Sequence, residues 1–130
     1  MKHFTLDELI DSDKARQLKI DNIAPAWARQ NLILLVGKIL DPLREAFGKP
    51  VFVTSGYRCH KLNKAVGGVA NSNHLKGLAA DIRATGKYII DRDGNRRLFA
   101  LAKKLRLPVK ELIWEGGGSW IHISLDLTRI

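Results

Sequence analysis

Cysteine is nearly absent from this chain: Cys59 stands alone, so no internal disulfide can form, in keeping with synthesis in a reducing compartment. No apolar run approaches the roughly 18 residues that a membrane-crossing helix needs. The N-terminal "MKHFTLDELIDSDKAR" lacks the apolar centre of a secretory signal. The expectation is a soluble protein made in the cytoplasm, without membrane insertion, for which any export takes another route. Repeats and disordered, low-complexity tracts are missing as well. The basic segments "DKARQLK", "DRDGNRR" and "AKKLRLPVK" are dispersed and form no helix-turn-helix or RNA-binding signature, which argues against nucleic acid as a partner.

What is present suits one folded unit. At 130 residues and 45% hydrophobic, the chain can bury one sizeable core but hardly two, so residues 1–130 read as a single, monomeric domain. The 22 basic residues exceed the 13 acidic ones by nine. Such a surface attracts anionic material, whether a nucleic acid, a membrane surface or a phosphate-rich cell wall, or is simply a solvated basic surface.

Helices come first in the chain and a sheet follows. Thr5 and Glu8 in "FTLDELI" fit a capping box, with Phe4 as a hydrophobic staple, so a short helix starts near Leu6. From Pro25 to Phe47, the residues Leu32, Leu35, Val36, Ile39, Leu40 and Leu43 recur in steps of three and four and predict a helix with one apolar face. Pro42 is expected to kink or divide it. "VFVTSGYR" reads as a strand entering a glycine turn, "NKAVGGVANSNHLKG" as an irregular loop, and "LAADIR" as a short strand. "DRDGNRR" reads as a polar turn before a helix over Leu98–Leu105. "ELIW" and "WIHISLDL" are predicted strands joined through "GGGS" as a hairpin. The class expected is α+β, with N-terminal helices packed on a small, mainly antiparallel sheet.

Strand alternation gives this pattern chemical content. Asp81 lies on one face of "LAADIR", and His122, set between Ile121 and Ile123, lies on the face opposite both isoleucines. If the two strands are neighbours, Asp81 and His122 face each other at about 5 Å between Cβ atoms. His74, in the preceding loop, can close over the same spot because Gly77 allows a sharp backbone path. Two imidazoles and a carboxylate make the ligand set of a catalytic zinc site; the alternative is a capping aspartate and two ordinary histidines. With "GGGS" as the loop, Glu115 pairs with Trp120 and Ile113 with His122, which sets Glu115 about 7 Å from His122 on the same face. That seat suits a general base for hydrolysis, although a solvated hairpin acid would look the same.

The run "SGYR", then "LNKAVGG", then Ser72, His74, Gly77, Ala79 and Asp81 as Ser-x-His-x-x-Gly-x-Ala-x-Asp, and finally "WIHIS", resembles the zinc D-Ala-D-Ala carboxypeptidase family of peptidoglycan peptidases. The resemblance extends from Phe4 to Ser124 and implies the fold shared with lysostaphin-type peptidases and the hedgehog signalling domain. It implies Zn2+ as cofactor, held by His74, Asp81 and His122, and a peptidoglycan stem peptide as substrate. Arg58 then grips the substrate carbonyl or carboxylate and stabilises the oxyanion. Ser55, Tyr57, Ser72 and Trp120 are the other expected substrate contacts, with Ser72 also steadying its loop.

One position departs from the family pattern. Many relatives place the catalytic acid about three residues before the last histidine, where this chain has Ser119; Glu115 is the replacement expected and Glu111 the second choice. His60 reads as a surface residue, Cys59 as packing, and Trp114 and Trp120 as either cleft lining or cross-strand packing. Three functions follow from these residues: a peptidase of the D-Ala-D-Ala carboxypeptidase or L-Ala-D-Glu endopeptidase type, a catalytically inactive zinc-containing wall module, or a nucleic-acid binder using the basic surface. A wall hydrolase without a signal is expected of a phage or prophage lysin released through a membrane lesion, or of a protein carried on a virion.

Overall fold

A computed structural model describes residues 1–130. Helix α1 (Leu6–Ile10) begins with the capping box: Thr5 Oγ1 accepts from Glu8 N at 3.2 Å, and the Glu8 carboxylate accepts from Thr5 N at 3.3 Å. Phe4 is buried in the core beside it. Helix α2 (Asp13–Leu18), unforeseen in the sequence, is capped by Ser12. Helix α3 (Ala26–Leu35) runs through a wider π turn over Val36–Leu40 into α4 (Asp41–Phe47). That turn answers the expectation of a kink at Pro42. Asp41 N bonds to Val36 O, five residues back, so the ladder is re-phased before the residue that has no N–H to give. The stripe predicted from Leu32 to Leu43 stays continuous through it and is buried along its length. No helix is long and apolar enough to cross a membrane.

Strands β1 (Val51–Ser55), β2 (Ala79–Ala84), β3 (Val109–Glu115) and β4 (Trp120–Leu125) form one antiparallel sheet in the order β1-β2-β4-β3. Ala80, Ile82, Ile121, Ile123 and Leu125 join the helices in a common core, which leaves the alternate residues for the opposite face. Two stretches are more ordered than their turn-rich composition implied. "NKAVGGVANSNHLKG" contains the end of helix α5 (His60–Ala65) and a 3-10 turn over Asn73–Lys76. "DRDGNRR" is the start of helix α6 (Arg92–Lys104), because Asp91 accepts from Gly94 N at 2.9 Å and caps the first turn. The buried Asn95 on α6 accepts from Ala84 N at 2.8 Å and donates to Gly118 O at 2.8 Å, pinning the β3–β4 hairpin to the end of β2.

Candidate metal centre and active site

The site forms on the sheet face turned away from the core. Asp81 and His122 are direct partners in the β2–β4 ladder, and His122 Nδ1 lies 3.0 Å from Asp81 Oδ1. His74 arrives from the 3-10 turn, whose first bond is made by Ser72 Oγ accepting from His74 N at 3.1 Å. Gly77 closes that turn at φ +72, with its α-carbon so near α3 that a Cβ would sit 2.5 Å from Ala28 O. His74 Nε2 then lies 3.2 Å from the same Asp81 oxygen, and the two imidazole rings meet edge to face at 5.1 Å. One ligand atom from each of the three residues lies within 4.8 Å of the others.

This trio fits a zinc ion in its donor chemistry. His74 Nδ1 is 2.7 Å from Gly56 O; a carbonyl can only accept, so Nδ1 carries a proton and Nε2 is the nitrogen that faces Asp81, the one open to a metal once deprotonated. Burial raises the Asp81 pKa, but the hydrogen bonds from His122 and His74, aided by their charge, outweigh it and hold the carboxylate well below its usual range. Burial lowers the His122 pKa, and its bonds to Asp81 and Glu111 overcome that, so the imidazole is more basic than usual. The centre therefore offers an ionised carboxylate and two imidazole nitrogens, a donor set in which a divalent cation can take the place of protons.

A model of the Peptidase M15 family matches residues 2–124. The chain belongs to that family. This M15 chain is also 41% identical over 63 residues to the zinc D-Ala-D-Ala carboxypeptidase of Streptomyces albus G. The match takes in 48% of the chain but spans only 24% of that relative's length.

The other expected site residues are distributed unevenly around the His74, Asp81 and His122 cluster. Arg58 is brought to its edge: Nη2 lies 3.5 Å from Asp81 Oδ2, Nε donates to Ser55 Oγ at 3.2 Å and Nη1 to Asn63 Oδ1 at 3.1 Å. Ser55 thus orients the guanidinium and, with Arg58, lines a hollow on that side. Tyr57 is not brought to the cleft; its side chain is buried in the core, and its N–H donates to Leu9 O at 2.7 Å. The "SGYR" segment is tied down by Asn22, which donates to Ile10 O and Tyr57 O and accepts from Cys59 N. Trp120 is half-buried opposite Glu115, and Trp114 packs edge to face on Phe99 of α6 at 5.5 Å.

The hairpin register matches the expectation: Glu115 pairs with Trp120 and Ile113 with His122. Glu115 lines an open cleft with Ser72, Asn73, Glu111 and His122, and its carboxylate makes no hydrogen bond within the protein. Ser119 has a different task, donating from Oγ to Gly116 O at 2.6 Å within the hairpin turn. Sequence reasoning undervalued Glu111 and missed Asn73. Glu111 Oε1 lies 2.9 Å from His122 Nε2 and accepts from Asn73 Nδ2 at 2.8 Å. The signal for Glu111 was available, since it is as close in register to His122 as Glu115 is. For Asn73 there was none, because its contact crosses from a loop to the far strand.

Proposed function

We propose that this chain is a zinc peptidase that hydrolyses a D-amino-acid-containing bond in peptidoglycan stem peptides, serving cell-wall lysis or remodelling. The observation that carries the reading is the meeting of His74, Asp81 and His122 in a buried cluster beside an open polar cleft. The name of the Streptomyces relative supports both the metal and the D-amino-acid substrate. His74 Nε2, Asp81 Oδ1 and His122 Nδ1 are the atoms that would hold the ion. When bound, zinc acts as a Lewis acid toward the scissile carbonyl and lowers the pKa of water.

The chain's own groups supply the rest of the hydrolysis. Arg58, braced by Ser55 and Asn63, presents a fixed guanidinium to the substrate's carbonyl oxygen or terminal carboxylate and offsets negative charge developing there. Glu115, with its carboxylate unengaged in the cleft, takes a proton from the attacking water as the carbon–oxygen bond forms. It returns that proton to the amide nitrogen as the carbon–nitrogen bond breaks, leaving a carboxylate and an amine. Purified protein should hold close to one zinc per chain and release defined fragments from peptidoglycan, identified by mass. His122→Ala should remain folded while losing metal and activity. Full zinc occupancy in that variant would overturn the ligand assignment. Zinc retention without any wall hydrolysis would instead favour a non-catalytic wall module, the reading to which Ser119 at the usual acid position lends support.

A further inference from the structure

His122 has two nitrogens with different partners. Nδ1 faces Asp81 at 3.0 Å and belongs to the metal cluster, whereas Nε2 faces Glu111 at 2.9 Å. We propose that Glu111 is a positioning residue which takes the Nε2–H of His122 and so holds its ring with the Nδ1 lone pair directed at the metal; this rests on the zinc reading above. A neutral imidazole has one N–H, and a carboxylate on one side of the ring decides which nitrogen keeps it. His74 is built in the same way, with Gly56 O taking its outward N–H. Each imidazole therefore gives its outer nitrogen to a fixed acceptor and its inner nitrogen to the cluster.

Two features show that Glu111 is itself held in place for this task. Its Oε1 atom accepts from both His122 and Asn73, and Asn73 precedes His74 in the 3-10 turn. Glu111 thereby ties the strand bearing one histidine to the turn bearing the other. The β3–β4 register shifts between Val109 and Glu111. That irregularity lets Val109 pack on the core beside Leu125 while Glu111, two residues on, faces the cleft. The same contacts separate Glu111 from Glu115: the former is engaged on the side of His122 remote from Asp81, the latter makes no hydrogen bond.

The test is zinc affinity, measured by competition with a chromophoric chelator. Glu111→Ala should weaken zinc binding by about 10–100-fold. Glu111→Gln should recover most of the loss, because its amide oxygen can accept from both Asn73 and His122. In the zinc-loaded protein, proton–nitrogen spectra of the histidine rings should show a slowly exchanging His122 Nε2–H that is lost in Glu111→Ala. Asn73→Ala, which keeps Glu111 but frees it, should weaken zinc binding several-fold and supplies the test if Glu111→Ala does not fold. Wild-type affinity in Glu111→Ala, or Glu111→Gln as weak as Glu111→Ala, would overturn the proposal. A wild-type protein that binds no zinc would overturn the metal site itself, a separate result.

Discussion

Replacing Gly77 with alanine separates two costs that usually come together, because the chain contains a matched control. Gly77 has φ +72 and Gly48, after α4, has φ +71, so alanine at either position meets the same left-handed backbone penalty of about 1 kcal/mol. At Gly48 nothing lies within 4 Å of the added Cβ, whereas at Gly77 it would meet Ala28 O at 2.5 Å. That oxygen belongs to the backbone of α3, so the clash is relieved only by moving the turn or the helix, at about 1–3 kcal/mol more. Gly77→Ala should therefore destabilise by about 2–4 kcal/mol in urea unfolding and Gly48→Ala by about 1 kcal/mol. The functional consequence differs even more. Moving the Asn73–Lys76 turn displaces His74, so Gly77→Ala should bind zinc measurably more weakly while Gly48→Ala binds as the wild type does. Equal stability loss in the two variants, or unchanged zinc affinity in Gly77→Ala, would refute the claim that this close approach sets the position of His74.

Glu115→Gln keeps the size of the side chain but removes its proton acceptor, so zinc should stay bound while turnover falls by roughly 100-fold or more; near-normal turnover would remove Glu115 from the chemistry. The net charge of +9 should make activity on whole walls fall as salt rises toward 0.5 M, where the Debye length is about 4 Å, with much less change on a short soluble stem peptide. Equal salt sensitivity on both substrates would mean that the charge does not steer the protein to the wall.

The faces on which Asp81 and His122 lie were legible in the sequence because strand alternation is a strict period of two, whereas the adjacency of β2 and β4 that makes them partners came from the fold. Isoleucines at 121 and 123 that must be buried force the residue between them to the other face. The same arithmetic, with a short glycine hairpin, set the β3–β4 register correctly. Local composition misled where a single capping bond decided the outcome. Asp91 turned a polar "DRDGNRR" into helix, and Ser72 ordered the turn in a glycine-rich loop, because a cap satisfies backbone donors that composition does not count.

Register alone could not tell Glu111 from Glu115, since both stand two residues from Ile113, the partner of His122. The tertiary structure separated them by bringing Asn73 from a distant loop to one of the two. Tyr57 was likewise assigned by its motif to the cleft and by packing to the core. Sequence periodicity by itself thus determined which face of the sheet carries the chemistry, because pleat and burial are properties of a strand and its neighbours. Which carboxylate braces a histidine and which stays free depended on contacts between segments far apart in the chain, and those exist only once the helices, the turn and the sheet have packed.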